Sequence, residues 1–349
     1  MPLTRRQFLV SVPLVALLTS TSLRAAPIPL YTELDPECPP GAFDETMQYL
    51  RALKAEEKPA TPQERLRNGR AWLAGSEVSD LLEGERSSWV QVPSSSLKLR
   101  VLEPAGTPRG AILAIHGGGW ALGTALSDEK RNWQLARRSR AIVVSPEYRL
   151  APEHPYPAGP DDCEAAAKWL LDNPWKLSHL AITGGSAGSH LAALALSRLR
   201  RSEKARFKTA VLFYGVYDLG RNQAWRAGLS SDFPDLTPDD MDRFLEWFVP
   251  DKTDDARRDP IYSPLYADLD GMPPAMFLVG TADLLAEDSR RFAKRWAAHG
   301  NRAVLVQYPG GPHGFNGFGV NCGRDPERLM AEFIAQGWPD DEDRGTPDV

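Results

Sequence analysis

From residue 88 onward two patterns of apolar and polar positions alternate along the chain. Trp89, Val90 and Val92, then Leu97, Leu99 and Val101, alternate in and out around a Pro-Ser-Ser-Ser turn, which predicts two strands joined as a hairpin. Short runs that are apolar at nearly every position follow, at 111–115, 141–145, 180–184, 209–214, 275–280 and 303–308. Between or after them lie stretches of helical periodicity at 128–138, 161–171, 187–199, 284–299 and 325–336. A strand that is apolar on both faces is covered on both faces, so the pattern predicts an α/β protein with a mainly parallel sheet flanked by helices. One stretch interrupts the alternation. Residues 219–270 are dense in Asp, Pro and Trp and carry a helical run at 239–248, more chain than a crossover needs. They are expected to be an insertion in a catalytic domain spanning 88–338, forming a lid with the N-terminal helices.

Those helices are read from residues 27–87. Pro27, Pro29, Pro36, Pro39 and Pro40 predict an irregular lead, after which Phe43, Met47, Leu50 and Leu53 recur at helical spacing. Thr61-Pro62-Gln63-Glu64 places an N-cap, a proline at the first helical position and a glutamate at the third, starting a second helix that runs to Leu73. Residues 1–26 are a different kind of segment. Thr4-Arg5-Arg6-Gln7-Phe8-Leu9 precedes an apolar run from Phe8 to Leu18, broken by Pro13 and shorter than the ~20 residues of a membrane span. Arg5-Arg6 with Phe8-Leu9 resembles the twin-arginine export signal, with Val10 where that pattern often has Lys. The expectation is a periplasmic or secreted protein cleaved near Ala25 or Ala26, or one anchored by an uncleaved signal, since Arg24 interrupts the small-x-small site. Residues 339–349 read as an acidic tail.

Composition narrows the class. The chain has 349 residues, 42% of them hydrophobic and 25% charged, with 41 Lys and Arg against 46 Asp and Glu, so disorder is excluded. A formal charge of −5 without a basic run argues against nucleic acid as a partner. Cys38, Cys163 and Cys322 make no metal-ligand spacing, and no metal or cofactor is implied. Cys163 reads as a buried, inert thiol, whereas Cys38 and Cys322 can pair after export.

Gly184-Gly185-Ser186-Ala187-Gly188 carries the chemistry, a G-x-S-x-G run between a strand and a helix. Gly184 and Gly188 let the strand turn sharply into the helix, lifting the Ser186 hydroxyl above the sheet and placing the Ala187 N–H at a helix N-terminus. A serine nucleophile needs a base, and on a scaffold with this elbow the order is serine, acid, histidine. His116, His154 and His179 precede Ser186; His190 lies one helical turn beyond it, facing helix or solvent; His299 ends a helix beside Gly300. His313 remains, in Gly310-Gly311-Pro312-His313-Gly314-Phe315 after the last strand. Two loop acids follow strands, Asp218 and Asp283. Asp283 is favoured, with Asp218 read as a turn or cap residue and Glu287 as a solvated helix residue. His116-Gly117-Gly118-Gly119-Trp120 follows the strand at 111–115, and its glycines let backbone N–H groups converge with that of Ala187 on a reacting oxygen. The run lacks the Lys-Ser/Thr ending of a phosphate loop. His116 is expected to shape its own loop.

The H-G-G-G-W run, the G-x-S-A-G run and Tyr148-Arg149-Leu150-Ala151-Pro152-Glu153-His154-Pro155-Tyr156-Pro157-Ala158 together resemble the hormone-sensitive-lipase-like esterases of the α/β-hydrolase superfamily, over nearly all of residues 40–338. The resemblance implies Ser186 as nucleophile, Asp283 as acid, His313 as base, and Gly118, Gly119 and Ala187 as oxyanion donors. The chain departs from the family pattern at Gly185, where an acidic or small polar residue is usual, and at Ser189, where a further glycine is usual. The activity implied is hydrolysis of short- to medium-chain carboxylic esters, by a monomer or homodimer, with Trp120, Trp225, Trp247, Phe248 and Phe315 as candidate pocket residues. The same machinery serves an amide, lactone or carbamate hydrolase, and a pocket without chemistry would give a ligand-binding member.

Overall fold

The computed structural model describes residues 30–34, 38–39, 41–56, 60–74, 80–93, 95–228, 233–318 and 324–338. The twin-arginine-like segment, Cys322 and the acidic tail lie outside the described residues.

Among the described residues nine strands form one sheet: β1 (Leu30–Leu34), β2 (Arg86–Gln91), β3 (Lys98–Glu103), β4 (Gly110–Ile115), β5 (Ala141–Pro146), β6 (Leu180–Gly185), β7 (Phe207–Phe213), β8 (Ala275–Gly280) and β9 (Ala303–Tyr308). Their order is β1-β9-β8-β7-β6-β4-β5-β3-β2, and only the pairings of β3, to β2 and to β5, are antiparallel. The expected hairpin is β2–β3, with Trp89 opposite Arg100. Strands β4, β5, β6 and β8 are buried at every position, as apolar runs without alternation require. The lead read as irregular holds a strand: β1 pairs in parallel with β9, Leu30 opposite Ala303. Its five residues carry a pattern too short to compete with the prolines around them, and the pairing partner lies over 270 residues away in sequence.

The helices are α1 (Asp44–Glu56), α2 (Pro62–Ala74), α3 (Glu129–Ser139), α4 (Ala158–Leu171), α5 (Ala187–Arg198), α6 (Arg201–Lys204), α7 (Gln223–Arg226), α8 (Pro238–Phe248), α9 (Asp254–Arg257), α10 (Ala286–Ala298) and α11 (Pro326–Gln336). Helices α3 and α11 pack together on one side of the sheet, while α4, α5 and α10 cover the other. Thr61 and Glu64 exchange the expected bonds at the start of α2, Glu64 N–H to Thr61 Oγ1 at 3.2 Å and Thr61 N–H to Glu64 Oε2 at 2.7 Å. Thr237 caps α8 in the same way. Cys163 is a free, buried thiol, as expected, and Cys38 is disulfide-bonded. Among the described residues no helix is long and apolar enough to cross a membrane.

Candidate active site

Strand β6 ends at Gly185 and α5 begins at Ala187, leaving Ser186 alone to make the turn. Its backbone sits at φ 55° and ψ −123°, a region costly for a residue with a Cβ by ~1–3 kcal/mol. The surroundings hold it there. Ser186 N–H donates to the Phe213 carbonyl of β7 at 3.0 Å, and the fully buried Ser189 hydroxyl lies 2.7 Å from the Gly184 carbonyl and 2.9 Å from that of Phe213. The residue at which the chain departs from the family pattern therefore fastens the elbow. Gly184 is needed for close approach, because a Cβ there would meet the backbone of Gly188. At Gly185, the other departure, a Cβ would lie 3.3 Å from the Tyr214 ring, and that ring packs at 4.8 Å against His313.

The late loops bring His313 and Asp283 to Ser186. His313, in the loop after β9, places Nε2 2.9 Å from Ser186 Oγ and Nδ1 2.9 Å from Asp283 Oδ2. With its proton on Nδ1, the ring donates to Asp283 and accepts from the serine hydroxyl. Asp283, in the loop after β8, is fully buried, and its Oδ1 accepts the Leu285 N–H at 2.7 Å. Burial alone would lower the His313 imidazole, but the charge of Asp283, their hydrogen bond and the charge of Asp235 carry it above its ordinary value. Asp218 does not reach the histidine. It is buried in a turn of its own, accepting from Gly220 N–H at 2.9 Å and Tyr266 hydroxyl at 2.9 Å, with Arg291 at 3.1 Å. Glu287 is exposed, and His299 pairs with Asp270 at 2.9 Å.

Gly117, Gly118 and Gly119 line the loop after β4. Gly119 adopts φ 58°, and the ring of Phe244 from α8 occupies the space where its Cβ would stand. Among the described residues no acceptor is found for the N–H groups of Gly118, Gly119 or Ala187, so the three donors remain available beside the serine. His116 is buried, stacked on Tyr148 at 4.2 Å, and its Nδ1 meets the Gly117 carbonyl at 2.8 Å. Burial pushes its imidazole down, so it sits neutral and shapes the loop. The Tyr148–Ala158 run is a strap behind that loop: Tyr148 hydroxyl donates to the His116 carbonyl at 3.0 Å, Ala151 N–H to the Trp120 carbonyl at 3.0 Å, and Tyr156 N–H to the Phe248 carbonyl at 2.8 Å.

The aromatic candidates divide. Trp120 stacks on Phe248 with ring centres 4.5 Å apart, joining the glycine loop after β4 to the end of α8. Trp225 is buried, its indole N–H donating to Asp242 at 2.9 Å, while Trp247 is half-buried against Phe244. Phe315 is buried among Phe43, Tyr214 and Tyr308. His190, expected to face helix or solvent, is fully buried: its Nδ1 accepts the Trp120 indole N–H at 3.0 Å and its Nε2 meets the Tyr262 carbonyl at 2.7 Å. Sequence reading also passed over Asp288, a buried carboxylate that accepts the N–H groups of Tyr217 and Asp218 at 2.7 and 2.9 Å. A charged residue on a helix face gives no sign that it is aimed at a loop.

The chain is similar to known proteins. A family model described as the alpha/beta hydrolase fold matches residues 112–317. A carboxylesterase of Mycobacterium tuberculosis, NlhH, is 35% identical over 217 residues, covering 60% of this chain and 67% of that protein. An acetyl-hydrolase of Streptomyces hygroscopicus is 30% identical over 60% of this chain and 69% of its own length. Among solved structures, the hyperthermophilic esterase of the archaeon Pyrobaculum calidifontis superposes with a TM-score of 0.72 at 31% identity, covering 83% of this chain and 97% of that one. An esterase from the bacterial hormone-sensitive lipase family gives 0.73 at 25% identity, over 86% and 99%. The family match over residues 112–317 and these likenesses show that the chain belongs to the α/β-hydrolase family, as a hormone-sensitive-lipase-like carboxylic ester hydrolase.

Proposed function

We propose that the protein is a serine carboxylesterase acting on short- to medium-chain esters, with Ser186, His313 and Asp283 as its triad. The observation that carries the reading is the unbroken line of hydrogen bonds, 2.9 Å from Ser186 to His313 and 2.9 Å from His313 to Asp283. Ser186 Oγ attacks the ester carbonyl as its proton passes to His313 Nε2, and Asp283 stabilises the imidazolium that forms. The carbonyl oxygen becomes an oxyanion, received by the N–H groups of Gly118, Gly119 and Ala187, each donor of this kind being worth ~3 kcal/mol. His313 then protonates the departing alkoxide, and water repeats the steps on the acyl-enzyme.

Helices α1, α2 and α8 act as a cap over this site, while β1 of the same N-terminal stretch belongs to the sheet. Supporting this, Lys54 of α1 pairs with Asp240 of α8 at 3.1 Å, and Arg70 of α2 donates to the Ala121 and Ala151 carbonyls at 2.9 and 3.0 Å. With Trp120, Phe244 and Phe248 packed close to the oxyanion loop, long acyl chains are disfavoured. The N-terminal arginine pair supports export, which fractionation of cells expressing the full chain tests. Hydrolysis of p-nitrophenyl esters from acetate to palmitate, beside Ser186→Ala, tests the rest: rates should peak at short chains and vanish in the variant. Equal rates for both proteins would overturn the reading.

A further inference from the structure

The loop that carries His313 runs from Gly310 to Gly317, and four of its eight residues are glycine. Gly310 and Gly314 sit at φ 72° and 69°, and a Cβ at either would meet nothing within 4 Å, so the backbone alone does little to fix its course. The half before the histidine is fastened through main chain. Gly310 N–H donates to Thr281 Oγ1 at 2.8 Å, and the Gly311 carbonyl accepts the Ala282 N–H at 3.0 Å, beside Asp283. The half after it is tied to the rest of the fold by side chains. Phe315 is buried, and the Asn316 amide is held at both ends, its oxygen accepting the Tyr214 hydroxyl at 2.7 Å and its nitrogen donating to Glu327 Oε1 at 2.6 Å.

Tyr214 is the member of this set that also reaches the histidine. Its ring centre stands 4.8 Å from that of His313, with the two planes inclined at 63°, so one contact restrains the imidazole and another the loop that bears it. Tyr214 is itself well held. It follows β7, it is buried, and its N–H donates to the Leu278 carbonyl at 2.7 Å. Its φ of 35° is a conformation that residues with a side chain rarely adopt, a strain retained where a side chain has to be aimed. The far end of the chain of bonds is anchored too: Glu327 Oε1 accepts the Arg131 Nε–H at 2.8 Å, and the Arg131 guanidinium lies 4.5 Å from the centre of the Phe213 ring. Helices α3 and α11 thus brace the histidine loop through Asn316. Gly185 makes room for the tyrosine, since a Cβ there would press on its ring at 3.3 Å.

We propose that Tyr214 is a positioning residue for His313: its ring sets the plane of the imidazole, and its hydroxyl, through Asn316, holds the loop so that Nε2 keeps its line to Ser186. This rests on the serine esterase reading above and deepens it. The role is geometric, because displacing a reacting group by about 1 Å costs about a hundredfold in rate.

The test measures kcat and KM on p-nitrophenyl butyrate, with competent sites counted by titration with a serine-reactive phosphonate and Ser186→Ala as the blank. Tyr214→Phe, which keeps the ring and loses the hydroxyl, should lower kcat about tenfold with KM within about twofold, since a misplaced base raises the barrier without weakening substrate binding. Asn316→Ala should do the same, and the double variant should be no slower than the slower single, because both remove one link. Tyr214→Leu, lacking the ring as well, should lose about a hundredfold. A kcat within about twofold of the wild type in Tyr214→Phe overturns the proposal, whether or not Tyr214→Leu folds. Single losses that multiply in the double variant overturn it as well. So does a loss that disappears when rates are divided by the competent sites, which marks Tyr214 as merely structural. An unreactive wild type, or equal rates in Ser186→Ala, removes the esterase reading and the proposal together.

Discussion

Ser189 Oγ stands 2.7 Å from the carbonyl oxygen of Gly184, so the turn that carries Ser186 is closed from inside by a hydroxyl. A hydroxyl has one hydrogen, and the Phe213 carbonyl at 2.9 Å shares it. Phe213 also receives the Ser186 N–H and would stay paired without Ser189, whereas the Gly184 oxygen would lose this donor. Ser189→Ala should therefore destabilise the protein by about 1–2 kcal/mol. Urea unfolding measures it, and an unchanged midpoint would show that the bond contributes nothing.

Asp283→Asn should leave the fold intact and lower kcat by about 10⁴, because an amide no longer holds the His313 proton on Nδ1. Steady-state rates on p-nitrophenyl butyrate, with thermal unfolding as the control, check this. A loss of less than about tenfold would move the acid's role elsewhere, since triad members act as a unit.

As the proposed base, His313 has to be neutral in the free enzyme. The charges of Asp283 and Asp235 raise its pKa above the ordinary 6.5 against the pull of burial, so the acid limb of kcat/KM should lie above that pH. Asp235→Asn removes one of the two negative charges and should move the limb down. A limb that stays in place in the variant would separate Asp235 from the histidine electrostatically.

His190 gives stability its own pH dependence. Burial depresses its imidazole to about 4, below the unfolded value near 6.5, so between those values the unfolded chain binds more protons. Its contribution is complete above the unfolded value and is lost as pH falls through the window toward 4. At full protonation the loss amounts to about 3 kcal/mol. His190→Gln should start less stable at neutral pH, because the Trp120 and Tyr262 partners are disturbed, yet lose less on acidification. Parallel stability curves for the two proteins would overturn this.

Much of the site was legible because its signals are local. A strand, two glycines flanking a serine, and a helix suffice to place Ser186, and chain order then picks His313 from six histidines. The parallel sheet was legible for a related reason: a strand buried on both faces cannot alternate. What stayed hidden depends on partners distant in the chain. Strand β1 exists because β9 offers an edge, His190 is a link because Trp120 and Tyr262 flank it, and Asp288 matters through the loop that it receives. None of these residues carries a mark in its immediate neighbours. Asp235 is the extreme case, conspicuous only for bonds that it does not make.

The pairing of β1 with β9 has a consequence for solubility. Without residues 30–34, the outer backbone of β9 would present unpaired N–H and C=O groups along the apolar run Ala303–Tyr308. A bare, apolar edge of this kind is a template for adding a strand from another molecule. Five residues from the N-terminal lead act as a guard against self-association, at the rim of the strand that leads to His313. A chain shortened to begin after Leu34 should lose monodispersity sooner than it loses its triad.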